Sequence, residues 1–440
     1  MMPLLKKCCF TLIIAFVTGC FKLFAQDSTL IGATIQWDLQ KCIEYARKNN
    51  IQINTLQLSQ QVSQQEFLLA KAARLPNLSG TASQNFGHNG ASGFSANGNY
   101  GLNSSVTLYN GNYINNNILQ KNLEVQSANL SVIQQENDIT LQITQAYLAV
   151  LLDKESIIYN TDLLNTTKAQ VKLEQQRYDV GAVARKDLIQ LQAQQATDQF
   201  TLISSQNLER TDLITLKQLL LLPTDIHFDV VKPDSIAAPA NVVSPFRDAE
   251  QTALQNRPEV KNGELGLKIA QYSVDLANAG YKPSLIAGGS IGTGYTTGQG
   301  DLFPQFGNNF NQQVGITLSV PIFTRRVVKT QVEEAKINVK QAELNLKNTR
   351  TTLSQEVERA YINVQNAQSQ YDAANEELKF SKESYRIANE QLKVSATNTV
   401  DFLLVKNQFV QAEQAFVQAK YNALLTMKIY DFYRGVPIKL

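Results

Sequence analysis

The chain of 440 residues carries 40 basic and 38 acidic side chains, a near-neutral balance that excludes a strongly basic nucleic-acid binder and an acidic tail protein. A mean hydropathy of -0.21 excludes a polytopic helical membrane protein, which needs several apolar spans of about 20 residues. Two histidines and four cysteines leave little material for a zinc or haem site, and only 22 glycines and 11 prolines favour long uninterrupted elements.

Lys6 and Lys7 precede an apolar run from Cys8 to Val17, and Leu23-Phe24-Ala25 precedes Gln26. This is the charged region, apolar region and small-residue cleavage site of an export signal. Cleavage is expected after Ala25, with residues 1–25 as signal peptide and 26–440 as the mature protein. A rival reading takes Val17-Thr18-Gly19-Cys20 as a lipobox with a lipid on Cys20. The apolar Phe21, Leu23 and Phe24 that follow, leading into the Ala25 site, count against it. Removal of the leader takes away three cysteines and leaves Cys42. An exported chain without an intrachain disulfide must be held together by packing.

From Ala33 to Leu75 there is no glycine or proline and apolar residues recur at helical spacing, which predicts a helix ended by Pro76. The pattern then changes. Tyr100, Leu102, Ser104, Val106 and Leu108 alternate with Gly101, Asn103, Ser105, Thr107 and Tyr109, which predicts a strand with one apolar face. Asn77–Phe86 is its more weakly patterned partner, and the strand region spans 76–111. Phe86, Phe94 and Tyr100 lie near the strand ends. Strands of about ten residues with apolar alternation and flanking aromatics suit an outer-membrane barrel.

From Asn112 to Leu222 there is one glycine, Gly181, and no proline. Gln, Ala, Leu, Glu and Lys dominate, all good helix formers. A helix from Asn112 to Tyr178 is about 100 Å long at 1.5 Å per residue. That length predicts a coiled-coil-like column, which breaks once, at Tyr178–Asp187, where the chain reverses. A linker over 224–244, with Pro233 and Pro239, closes this unit.

The remainder repeats the plan. At an offset of 207 residues, Ala46, Asn49, Leu58, Leu69, Pro76 and Gly87 match Ala253, Asn256, Leu265, Leu276, Pro283 and Gly294. At an offset of 214, Val106, Ala146, Tyr147, Val180, Ala182, Asp187 and Pro223 match Val320, Ala360, Tyr361, Val394, Ala396, Asp401 and Pro437. Repeat one is therefore 38–223 and repeat two 245–437, each helix, strand, strand, helix, helix. The second strand region is 283–323. It pairs Ser284–Tyr295 with an alternating stretch through Val314, Ile316, Leu318, Val320 and Ile322. Its long column breaks at Leu392–Asp401.

Four strands cannot close a barrel, and lipid cannot satisfy the two open edges they would leave. Known barrels need at least eight strands, so two, three or four copies would contribute 8, 12 or 16. The fold class is thus a mixed α and β membrane protein. It is internally duplicated, with a helical barrel and a shared transmembrane β-barrel.

This layout resembles the TolC-type outer-membrane channel family, the exit ducts of tripartite efflux pumps and type I secretion systems. The likeness covers about Asp38 to Pro437. It rests on the duplication, the strand pair in each copy and two signatures: Arg177-Tyr178-Asp179-Val180-Gly181-Ala182 with Asp187-Leu188, and Val394-Ser395-Ala396 with Asp401-Phe402-Leu403. The resemblance implies a homotrimer with a 12-stranded barrel in outer-membrane lipid and a periplasmic α-barrel, in a Gram-negative bacterium. It implies that Val180, Gly181, Ala182, Val394, Ser395 and Ala396 dock a periplasmic adaptor. An inner-membrane pump, of resistance-nodulation-division or ATP-binding-cassette type, would complete the assembly. It also implies a periplasmic gate. Asp401 matches the family's first acidic position, while Leu404 fills the second, Thr397 replaces an arginine and Leu392 a tyrosine. Arg185 and Asp187 are the alternative gate residues.

Asp187 and Asp401 have a second reading, as acidic first-turn or capping residues of the returning helices. Tyr147 and Tyr361 read as helix packing, and the helix glutamates as a solvated face. His88 and His227 are isolated, and Gly292-Thr293-Gly294 lacks the helix of a dinucleotide loop. No Ser/His/Asp set, P-loop or HExxH motif occurs, so the expectation is no enzyme, no cofactor and no nucleic acid. A passive exit duct is the expected function. A trimeric coiled-coil surface protein and a general diffusion porin are the alternatives.

Overall fold

A computed structural model describes residues 35–90, 93–233, 244–394 and 396–438. The expected signal peptide, the Cys20 lipid reading and the expected cleavage after Ala25 lie outside the described residues. The first half contains β1 (Ile35–Trp37), α1 (Leu39–Asn49), α2 (Ile51–Ala72), β2 (Asn77–Asn89), β3 (Gly93–Asn110), α3 (Tyr113–Asp179) and α4 (Arg185–Leu220). After β4 (Phe228–Val230) come α5 (Phe246–Asn256), α6 (Pro258–Ala279), β5 (Ser284–Thr296), α7 (Leu302–Asn308), β6 (Asn311–Ser319), α8 (Val327–Lys393) and α9 (Thr399–Tyr433). α3 and α8 have 67 residues each, about 100 Å of helix.

The expected helix from Ala33 to Leu75 is instead a strand and two helices. Asn50 breaks it. Its backbone is extended, with φ -64° and ψ 127°, and its side chain accepts from the N–H groups of Gln52 and Ile53 at 2.9 and 3.2 Å. An asparagine can end one helix and cap the next without glycine or proline, so the break leaves no strong punctuation in the sequence. Arg257 adopts the same extended backbone between α5 and α6, with Pro258 opening the second helix.

The stretch 224–244 is not wholly a linker. Within it β4 pairs in parallel with β1, Ile35 opposite Phe228 and Trp37 opposite Val230. The Tyr147 hydroxyl donates to the Val231 carbonyl at 2.6 Å, which ties this small sheet to the middle of α3. Leu39, Cys42, Ile43 and Ala46 of α1 pack there with Leu148, Leu151, Leu216 and Leu220. Cys42 is fully buried, and burial pushes its thiol up to about 12. Tyr361 packs its ring against Phe246 and Tyr430, so both tyrosines serve packing.

The large sheet is antiparallel, in the order β2-β3-β5-β6. Register sorts its side chains onto two faces. Leu78 and Ala82, Tyr100, Leu102 and Val106, Ala287 and Ile291, and Val314, Ile316 and Leu318 share one face. Ser79, Thr81, Ser83, Asn99, Asn103, Ser290, Gln313 and Thr317 share the other. Leu78, Val314 and Ile316 are 75, 90 and 69% exposed in the single chain. The alternation fails at one place. The pairing of β3 with β5 slips between Thr107 and Tyr109, so Leu108 is an extra residue and Tyr109, not Leu108, lies opposite Leu285. The partner strands run to Asn89 and Thr296, three residues and one residue beyond expectation. α7 seats Phe306 against the rings of Tyr100 and Tyr295.

Next to the sheet, α3 packs between α2 and α6, and α8 packs on α6. Farther away α3 pairs with α4, and α8 with α9, as two antiparallel hairpins whose turns lie at the end remote from the strands.

Candidate functional site

The two hairpin turns are built alike. Val180 ends α3 and Gly181 follows with φ +76°, a left-handed conformation that a residue with a Cβ adopts only under strain. The Ala182 N–H donates to the Arg177 carbonyl at 2.8 Å, and the Gly181 N–H to the Tyr178 carbonyl at 2.9 Å. This pair of bonds is the Schellman arrangement. At the second turn Val394 ends α8, and the Ala396 N–H donates to the Gln391 carbonyl, also at 2.8 Å. Ser395 lies outside the described residues. Val180 and Val394 are 80 and 74% exposed, and Ala182 and Ala396 are exposed. The turns therefore present small and apolar groups to their surroundings.

Asp187 and Asp401 occupy equivalent places, three residues after the N-cap positions Ala184 and Asn398. The Asp401 N–H donates to Asn398 Oδ1 at 2.8 Å, and Asn398 Nδ2 donates back to Asp401 Oδ2 at 2.7 Å. Both acids thus sit in the first turn of a returning helix, where the helix dipole favours negative charge. Arg185 is exposed at the start of α4, and Thr397 is half-buried just before α9.

The residue that joins the two turns is Arg177. Its guanidinium donates to the carbonyl of Leu392 at 3.0 Å and also to that of Lys393. It thereby adds a charged donor to carbonyls at the C-terminal end of α8, where the regular helical bonding runs out. Glu174, one turn back, lies 3.6 Å from the same guanidinium. Leu191, Ala388, Leu392 and Phe402 pack behind this contact.

Further along the seam between the hairpins, polar contacts recur. Gln170 Nε2 donates to Asn389 Oδ1 at 2.9 Å. Lys406 is fully buried and donates to Asp198 Oδ2 at 2.7 Å and Thr167 Oγ1 at 2.5 Å. Burial lowers the Lys406 pKa, with the hydrogen bond to Asp198 and its charge opposing. Lys420 and the Tyr421 hydroxyl donate to the two oxygens of Glu155 at 2.8 and 2.7 Å. Burial opposes ionisation of Glu155, but these donors outweigh it and its pKa falls below the usual value.

Glu155 and Glu174 are 6 and 4% exposed, which corrects the reading of the helix glutamates as a solvated face. The seam residues escaped sequence reading, although Lys406 left a trace. Phe402, Lys406, Phe409 and Ala412 recur at helical spacing, so a lysine stands inside an apolar stripe.

A family profile described as "Outer membrane efflux protein" matches residues 42–220 and 250–427. The outer membrane efflux protein BepC of Brucella suis is 22% identical over 401 residues, which span 91% of this chain and 84% of the relative. Among solved structures, a crystal structure of CusC superposes with a TM-score of 0.80 at 18% identity, over 92% of this chain and 94% of the other. The CmeC outer membrane channel of Campylobacter jejuni gives a TM-score of 0.75 at 20% identity, over 90 and 85%.

Proposed function

This chain belongs to the outer membrane efflux protein family, and on that footing we propose how its parts make a duct. Its place is the outer membrane of a Gram-negative cell, and its work is efflux, as expected from the resemblance to TolC-type channels.

The observation that carries the reading is the four-stranded sheet. It ends in two edge strands, β2 and β6, and exposes an apolar face through Leu78, Val314 and Ile316. Open edges in lipid are intolerable, so the edges of neighbouring copies pair. Three copies give a closed barrel of twelve strands, the count we favour. The apolar face then meets lipid, and the Ser, Thr and Asn face lines the lumen. The matching element lengths support two copies of one ancestral unit, 38–223 and 245–437, within each protomer. The paired 67-residue helices of three protomers extend the lumen as a periplasmic tube.

Val180, Gly181, Ala182, Val394, Ser395 and Ala396 form the periplasmic mouth and receive the hairpins of a membrane-fusion adaptor. Small side chains there permit close backbone approach. Arg185, Asp187, Thr397 and Asp401 line the constriction, where three copies of each acid favour cations. The protein performs no catalysis. An inner-membrane pump supplies the energy, and outer-membrane lipid and the adaptor are its other partners.

A photocrosslinking residue placed at Ala182, and separately at Ala396, tests docking in living cells. Capture of a periplasmic adaptor at both positions is expected. Capture of this chain alone at both positions would remove the docking role.

A further inference from the structure

The four places where the large sheet meets the helices lie side by side. Arg74, between α2 and β2, donates from Nη2 to Asn115 Oδ1 of α3 at 2.8 Å. Lys282, between α6 and β5, donates from Nζ to the carbonyl of Gly111, between β3 and α3, at 3.4 Å. A Cβ built on Gly280 would lie 3.2 Å from Val328 of α8. Lys71, Arg74, Lys282, Arg325 and Arg326 belong to this rim, and all are exposed. No aspartate or glutamate occurs in 71–77, 110–117, 280–284 or 319–326. Among the described residues none of the five cations has a carboxylate within 4.0 Å. The opposite rim differs. From 77 to 110 and from 284 to 324 the chain has no lysine or arginine, and Asp301 is its one acid.

Arg325 and Arg326 hold their place against backbone preference. Their φ values are +45° and +71°, in the left-handed region. At the offset of 214 residues their counterparts are Gly111 and Asn112, with φ +67° and +70°. Glycine and asparagine suit this conformation, and arginine does not. The turn itself therefore does not call for arginine, since repeat one makes it without either. Apolar groups border the cations. Ile322 and Phe323 are 96 and 83% exposed, and Tyr113 and Tyr281 are exposed as well. Basic heads beside apolar and aromatic side chains suit the surface of an anionic membrane.

The pairing of β6 with β2 of the next copy brings the junction after β6 beside the junction before β2. One chain already contains such a meeting, Lys282 against Gly111, whose counterparts in the other repeat are Leu75 and Arg325. Arg325 and Arg326 therefore stand near Lys71 and Arg74 of the next copy, with no acid among them. We propose, resting on the shared barrel, that this rim binds the phosphate headgroups of anionic phospholipid in the periplasmic leaflet, at each boundary between copies. The guanidinium forks of Arg325 and Arg326 match phosphate oxygens, and Lys71 and Arg74 of the next copy add charge. Ile322 and Phe323 meet the acyl chains, which is why the occupant is a lipid and not free phosphate.

The test is native mass spectrometry of the full mature protein in detergent, with phosphatidylglycerol or phosphatidylcholine of the same acyl chains added. A lysine or arginine near an anionic surface strengthens binding about fivefold. The parent trimer should therefore retain phosphatidylglycerol over phosphatidylcholine by about tenfold or more, and inorganic phosphate should not displace it. Arg325→Gly with Arg326→Asn restores the residue types of repeat one, so this variant should fold and melt no lower than the parent. Its preference for phosphatidylglycerol should nevertheless fall by about tenfold or more. Arg325→Lys with Arg326→Lys keeps both charges and should keep most of the preference. Trimers without the preference, displacement of the lipid by inorganic phosphate, or an unchanged preference in the Arg325→Gly, Arg326→Asn variant overturns the proposal alone. Single chains under every condition would overturn the shared barrel and the proposal with it, and the measured mass tells the two failures apart.

Discussion

The guanidinium of Arg177 donates to the carbonyl oxygen of Leu392 at 3.0 Å, so a residue in the last turn of one long helix caps the end of the other. The two hairpin turns are therefore held side by side by a contact that belongs to neither alone. Replacing Arg177 by alanine leaves carbonyls of α8 without this donor. A hydrogen bond to a charged group contributes about 1.5–3 kcal/mol when well buried, and less at a partly exposed tip. The expected outcome is local. Amides in peptides covering 385–400 should exchange with deuterium several-fold faster, while peptides covering 113–140 should be unchanged.

Gly181 makes a cleaner case for backbone strain. A Cβ added there meets nothing within 4 Å, yet φ is +76°. Gly181→Val should therefore destabilise by about 1–2 kcal/mol through conformation alone, and Gly181→Asn by distinctly less. Denaturant midpoints of the three proteins check the order.

The Lys406–Asp198 pair, 0 and 4% exposed at its side chains, gives a third expectation. Lys406→Ala strands a buried carboxylate and should cost about 3–5 kcal/mol. The double variant Lys406→Met with Asp198→Leu removes both charges and should lose less than Lys406→Ala. Chemical denaturation of the single and double variants measures the coupling.

Glu155 sets an acid limit. Its folded pKa lies below the usual 4.5, because donors from Lys420 and Tyr421 overcome burial. A depressed carboxyl contributes stability that is present above the unfolded value and is lost as pH falls through the folded one. Melting temperature should thus drop below about pH 4.5 in the parent protein, and Glu155→Gln should be less stable at pH 7 with a shallower acid decline. An equal decline in both would assign the acid sensitivity elsewhere.

The parts of this fold visible in the sequence are those with a long, regular period. The 67-residue helices announced themselves by the lack of glycine and proline, and the strands by alternation from Tyr100 to Val106. The breaks at Tyr178–Asp187 and Leu392–Asp401 stood out for the same reason. Local chemistry was harder to see. The break at Asn50 is made by one side chain accepting two backbone N–H groups, and asparagine is common enough in helices to pass unnoticed. The bulge at Leu108 leaves the apolar pattern intact and shifts only the pairing. β1 and β4 are three residues long and nearly two hundred apart, so no window could join them. Arg177 lay in plain view inside a signature, but its partners are backbone carbonyls 215 and 216 residues away, which carry no side-chain mark.

The central claim is that neighbouring copies close a barrel by pairing the β2 edge of one with the β6 edge of the next. Cysteines introduced together at Ser79 of β2 and Thr317 of β6, and scanned by one or two positions along each strand, test it directly. The native Cys42 is fully buried and its thiol held at about 12, so it should not interfere. Oxidation in intact outer membranes should give a denaturing-gel ladder of two-chain and three-chain species that stops there. Only single chains at every register would contradict the shared barrel, and a ladder running past three chains would contradict the trimer.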